Sequence, residues 1–158
     1  MGLFTPKITP TQISQAKLLL KQSNESIKLV NTTTNPETYF GRLNFTFDVL
    51  LEMKKFEKYK IYTGKTPTQN YKMLIDELEK SADLFIKRSY EKQLKKISSL
   101  KTEKAKINSM KKYANNMIVA FQNANNYWLG NNQYPHYKGD LYTSNNLNYL
   151  TQLLKDYI

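Results

Sequence analysis

Three groupings in this chain have residue types that chemistry uses. Thr63-Gly64-Lys65-Thr66 ends like a phosphate-binding loop, in which backbone N–H groups and a lysine cradle phosphate oxygens. Such a loop needs a glycine five residues before Gly64, and Tyr59 stands there. It must also join a strand to a helix, whereas the flanking patterns here are both helical. Asp76, Glu79 and Asp83 fall on one helix face by three- and four-residue spacing, a geometry that can hold a hard cation. Lys72, Lys80 and Lys87 lie at neighbouring spacings and compensate those charges, so the reading is a solvated, ion-paired face and no metal site. His136 is the single histidine and there is no cysteine. Paired imidazole catalysis, thiol nucleophiles, disulfides and thiolate metal sites are thereby excluded within one chain. The hydroxyls come with no base or oxyanion motif, so the sequence predicts no catalytic residue, no cofactor and no enzyme.

Two groupings suit binding. From Lys87 to Lys112 the chain holds ten basic residues (Lys87, Arg88, Lys92, Lys95, Lys96, Lys101, Lys104, Lys106, Lys111 and Lys112) against Glu91 and Glu103, so most of the net charge of +11 sits there. Such a segment can follow a phosphate backbone and is the candidate nucleic-acid-binding surface, centred on residues 87 to 106. The alternative is a lysine-rich solubilising corner. The second grouping is the aromatic run YWLGNNQYPHYKGDLYT (127–143). Tyr127, Trp128, Tyr134, His136 and Tyr137 are candidate partner-binding residues, offering rings for stacking or for anchoring an interface. The same rings can instead roof the end of a helical core.

The make-up of the charge tempers the nucleic-acid reading. Only Arg42 and Arg88 are arginine among 24 basic residues, and lysine lacks the bidentate fork that reads phosphates and bases. Lys, Asn, Tyr and Ile are favoured by AT-rich codons, so codon bias on solvated faces is the alternative origin for part of the charge. Hydrophobic residues make up 40% of the 158, enough for one packed domain spanning residues 1–158. The start, MGLFTPKITPTQ, lacks a signal-peptide layout and carries Pro6 where myristoylation needs Ser or Thr. No apolar run reaches the ~20 residues that span a membrane. The expectation is a soluble, cytoplasmic protein, a monomer rather than a dimer, whose positive charge is not backed by an apolar face for anionic membranes.

The elements that must carry these residues read as helices. Thr9-Pro10-Thr11-Gln12 has the spacing of a capping box with proline in the first turn. Ile13, Ala16, Leu19, Leu20 and Ile27 then form an inward stripe to about Leu29. NTTTNPETYFGRLNF (31–45) reads as a joint rather than a binding loop: Asn35-Pro36-Glu37 restarts a helix, and the threonines serve helix ends. Tyr39, Phe40, Leu43, Phe47, Leu50, Leu51 and Phe56 stripe a second helix to near Ile61. A third runs from Pro67 through Leu78 and Phe85 to Ile97. Ser98 and Ser99 interrupt it, and Thr102-Glu103 recaps a fourth. Ser144 starts a short final helix bearing Leu147, Leu150, Leu153 and Leu154, which must dock back on the bundle or on a second chain; the long loop favours the first. A β-hairpin is conceivable only near Gly139-Asp140, and it is not expected. The fold predicted is all-α, an antiparallel bundle of about four long helices and a short carboxy-terminal one.

Asn35-Pro36-Glu37-Thr38, Phe40, Arg42 and Asn44, then Asp83, Phe85, Ile86, Arg88 and Leu100-Lys101-Thr102, resemble a group of small uncharacterised helical proteins of low-GC Gram-positive bacteria and their phages. The resemblance implies a bacterial or mobile-element setting and brings no catalytic residue with it. The residues themselves predict that Arg42 and Arg88 tie helices together through a carboxylate such as Asp48 or Asp83. The functional expectation is a non-enzymatic interaction protein with a protein partner. The alternative is a sequence-independent nucleic-acid-binding accessory protein using residues 87–112.

Overall fold

The computed structural model describes residues 7–139, 141 and 144–155, with the side chains of Ser144 and Asn145 excepted. The expectations for residues 1–6, for a turn through Asp140 and Tyr142, and for a Ser144 cap lie outside the described residues. Among the described residues six α-helices follow one another: α1 (Pro10–Val30), α2 (Pro36–Met53), α3 (Pro67–Asp76), α4 (Leu78–Ser98), α5 (Glu103–Leu129) and α6 (Ser144–Leu154). There is no strand among the described residues, so the fold is all-α.

The helix starts are local chemistry. Thr9 Oγ1 accepts from Gln12 N at 3.2 Å while Thr9 N donates to Gln12 Oε1 at 2.9 Å. The same tetrapeptide, Thr66-Pro67-Thr68-Gln69, repeats the box with bonds of 3.2 and 2.9 Å and starts α3. Asn35 Oδ1 accepts from Thr38 N, and Thr102 Oγ1 from Ala105 N. Each side chain satisfies an N–H group that the first helical turn leaves unpaired.

Residues 7–32 and 41–75 make one compact unit. Here α1 lies antiparallel to α2, fastened by Thr46 donating to Ser26 Oγ at 2.8 Å and by Arg42 Nη1 donating to the Leu29 carbonyl at 2.6 Å. The inward face of α1 differs from the expected leucine stripe: it is Ala16, Ser23, Ser26 and Val30, while Leu20 and Ile27 are 40% and 37% exposed. Small side chains let two backbones approach closely, and the serines do not bury unpaired hydroxyls. Ser23 donates to Leu20 O and Ser26 to Ser23 O, each three residues back, a local bond that serine and threonine make readily. Phe47 meets Tyr71 edge to face at 5.6 Å and joins α2 to α3.

The second helix ends earlier than its stripe suggests. From Lys54 to Tyr59 the chain tightens into a 3₁₀ helix, stopped by Lys60 at φ 53°. In that geometry residues three apart eclipse, which sets the Phe56 and Tyr59 rings 6.4 Å apart. Glu57 Oε1 accepts from Thr68 N, so the turn supplies a carboxylate to the start of α3, where a helix dipole favours it. The expected third helix is also two. Glu77 adopts φ −94° and ψ 1°, and this single residue breaks the helix without disturbing the inward series Tyr71, Ile75, Leu78, Ala82 and Phe85.

Residues 33–40 and those described from 76 onward make the second unit. Helices α4, α5 and α6 pack on one another. Gln93 bonds Ser109 and Ser89 faces Met117, so α4 and α5 are antiparallel. Leu154 packs with Ile97, Met110 and Ala114, and Leu150 is buried with it, so α6 docks on α4 and α5 of its own chain. The first turn of α2 adds an aromatic wedge. Tyr39 stacks on Phe85 at 4.2 Å and 7°, and Phe40 meets Phe121 edge to face at 4.9 Å. Tyr39 also shares a 2.6 Å hydrogen bond with Ser81.

The two arginines bind carbonyls, not carboxylates. Arg42 closes the end of α1 through Leu29 O, with Thr32 Oγ1 at 3.1 Å, and Arg88 Nη2 donates to Thr33 O at 3.2 Å. A carbonyl at a helix end carries the negative end of the dipole and accepts readily from a guanidinium; Leu29 O also takes the N–H and hydroxyl of Thr32. The run 31–35 is therefore a joint.

Two outcomes follow from this packing. Arg42→Met leaves Leu29 O and Thr32 without their cation and should cost about 1–2 kcal/mol of stability, read by urea unfolding. Burial pushes the phenols of Tyr39, Tyr71 and Tyr113 up to about 12 from the ordinary 10.0. The folded chain thus holds these protons more tightly than the unfolded chain. Their contribution is complete below pH 10 and declines as pH rises from there towards 12, because only the unfolded chain then ionises. Tyrosinate absorbance of the native protein at pH 11 should fall short of that of the urea-unfolded protein, and thermal stability should drop across the same interval.

Candidate nucleic-acid interface

The corner between α4 and α5 is built by hydroxyls. Ser98 Oγ donates to Lys95 O at 2.6 Å and Ser99 Oγ to Lys96 O at 2.8 Å, which satisfies acceptors the helix end leaves over. Thr102 then caps α5, and Leu100 packs on the cluster of Ile97, Met110 and Leu154. Polar residues thus turn the chain within a few positions, and Lys95, Lys96, Lys101 and Lys104, which flank the turn, are brought to one end of the helix pair.

Eight of the ten basic residues face solvent: Lys87, Lys92, Lys95, Lys96, Lys101, Lys104, Lys111 and Lys112. Lys95 and Lys96 occupy the last turn of α4 and Glu103 the first turn of α5, each of the sign its helix end favours. Lys106 is half-buried and pairs with Glu103 at 3.7 Å, the one ion pair this segment makes among the described residues. Arg88 does not belong to the surface. Its guanidinium lies 5.7 Å from the Phe85 ring and holds Thr33 O, and its Nε is buried. Arg88 is a tie within the fold, as expected, but to a carbonyl of the joint rather than to a carboxylate, and arginine is the cation better suited to stacking and buried bonds.

The aromatic run divides differently from its expected boundaries. α5 continues to Leu129, so Tyr127 and Trp128 are helical and the loop begins at Gly130. Trp128, Tyr134 and Tyr137 are buried. Trp128 meets Tyr137 at 5.6 Å and Phe40 at 6.0 Å, both edge to face. Tyr137 donates to Asn125 Oδ1 at 2.6 Å. His136 is exposed at φ 72°, a left-handed turn that separates Pro135 from the inward Tyr137. Tyr127 stays 52% exposed, its ring 5.8 Å from that of Tyr134. Three of the five candidate partner-binding residues are thus spent on the core, leaving Tyr127 and His136 accessible.

The carboxylates of the expected ion-paired face do not converge on a cation: among the described residues, no group of three His, Cys, Asp or Glu is placed to hold a metal ion. Asp83 is half-buried, and burial followed by the nearby Glu79 raises its pKa. Gly64 has φ 79° in the link between the 3₁₀ turn and α3, so TGKT lies in a helix-to-helix connection without the strand a phosphate loop requires. No described helix is long and apolar enough to cross a membrane. No family model matches the chain, and comparisons with curated proteins and with solved structures give no match.

The single tryptophan reports on this packing. Tyr137→Ala removes an edge contact and the Asn125 bond, and it should shift Trp128 emission to the red and lower stability by about 3 kcal/mol. His136→Asn, at an exposed left-handed position that asparagine tolerates, should leave the emission unchanged.

Proposed function

We propose that this protein is a non-enzymatic accessory factor that binds nucleic acid without regard to sequence, through the lysines of the α4–α5 corner. The observation that carries the reading is the exposure of eight lysines along residues 87–112, on both sides of a turn whose own polar groups are already bonded. Exposed ammonium groups suit phosphate oxygens and release counterions on contact. No arginine fork is left on this surface to read base edges, which favours backbone contact over sequence recognition. The non-enzymatic part rests on a chain with no cysteine, one exposed loop histidine, and hydroxyls used for caps and joints. On this reading the protein acts in the cytoplasm as a single chain, in the bacterial or mobile-element setting that its resemblance implies.

A protein partner is the second reading. It is favoured by Tyr127 and Leu129, 52% and 56% exposed at the end of α5, since tyrosine is enriched in the buried core of interfaces.

A gel shift with duplexes of unrelated sequence separates them. Wild type should bind all of them alike at about 50 mM salt and lose affinity steeply with added salt, at about 0.9 logarithmic units per phosphate contact. Lys92→Glu/Lys95→Glu/Lys96→Glu should weaken binding and flatten that slope by about two to three units. Absence of binding by wild type at low salt defeats the nucleic-acid reading and leaves the protein partner.

A further inference from the structure

Helix α1 keeps its small residues for its own unit and turns larger ones outward. Ile13, Leu20 and Ile27 recur every seventh residue, with Leu20 and Ile27 more than a third exposed. At 100° per residue these three side chains lie within about 20° of one line along the helix. Lys17, Lys21 and Lys28, all exposed, form a second row about 60–100° further round. Glu25 is the one acid of α1. The outer flank is therefore an apolar heptad row beside a basic row, and its other border is the face of Ala16, Ser23 and Val30 already packed within the unit.

We propose that this flank docks an amphipathic helix of another protein, one with apolar residues at seven-residue spacing and Asp or Glu beside them. The apolar row supplies the seam that a heptad partner fills, and the lysine row supplies flanking charge that selects an acidic partner. A second copy of this chain does not fit. Self-pairing along the row would set the three lysines of one copy against the three of the other in a chain of net charge +11, a like-charge cost that Glu25, the one acid of α1, does not offset. A membrane surface does not fit either. The remaining exposed leucines of α1, Leu18 and Leu29, lie about 160–180° round from Leu20. The lysines thus stand between two apolar strips rather than at the edges of one, the reverse of a helix lying in a bilayer interface.

The probe is a labelled peptide of about three heptads with leucine at the seam and glutamate at the flanking positions, alongside its glutamate-to-lysine counterpart. Fluorescence anisotropy should show binding of the acidic peptide only. Leu20→Ser/Ile27→Ser, at positions exposed enough to leave folding intact by circular dichroism, should weaken it about tenfold or more. Lys17→Glu/Lys21→Glu/Lys28→Glu should reverse the preference in favour of the lysine peptide. Lys92→Glu/Lys95→Glu/Lys96→Glu should leave peptide affinity unchanged, so failure here is distinguishable from failure at the α4–α5 corner. The proposal is overturned if the acidic peptide does not bind, or if its binding ignores Leu20 and Ile27. It is equally overturned if wild type dimerises, or binds phosphatidylglycerol vesicles, in a manner that Leu20→Ser/Ile27→Ser abolishes.

Discussion

A phenol lying flat on a phenylalanine ring, Tyr39 on Phe85 at 4.2 Å, is the contact on which the second unit turns. It commits the first turn of α2 to α4 and carries Phe40 in beside Phe121 and Trp128. The buried hydroxyl that comes with the ring has Ser81 as its partner, so the wedge is polar at its tip and apolar along its sides. The chain before it must then begin a helix at a fixed place, and Asn35 does so through Thr38 N. The carbonyl of Thr33 is held in the same unit by Arg88. The threonines and asparagines of the joint are there because aromatic packing leaves the backbone short of partners at that point.

Much of this was legible because it is local. A cap needs only four consecutive residues, so Thr9, Asn35 and Thr102 announce their helices, and the breaks near 31–35 and 98–102 follow from the last two. The leucines of α6 were legible for a different reason: a short helix with one apolar face must bury that face against other helices. What was hidden depends on who the neighbour is. The Glu77 break preserves the spacing of inward residues on both sides, so periodicity carries no trace of it. Trp128, Tyr134 and Tyr137 look the same in sequence whether they line a groove or fill a core. The end of α5 at Leu129 rather than before Tyr127 was the missing clue.

The cations divide by type. Both arginines work within the fold, on backbone carbonyls where α1 ends and in the joint that follows, while the corner lysines face water. A planar guanidinium can bond while half-buried, and an ammonium is strongly hydrated. Read this way, the scarcity of arginine on the surface is not only a matter of base composition, since the two present are placed where lysine would serve poorly. The surface charge can consequently change without disturbing the joint.

The face of α1 against α2 has a further property. Leucine packed on leucine tolerates sliding, since one methyl substitutes for another along a smooth apolar groove. Hydroxyls do not. Ser26 meets Thr46 at one longitudinal position, and Arg42 reaches Leu29 O at one as well. A slip of α1 by a single turn would break both bonds across the seam. The two helices therefore mesh like a toothed rack rather than a greased rail, trading adhesive surface for a defined stopping point. A small, polar seam of this kind gives up some burial energy and gains a defined register between α1 and α2.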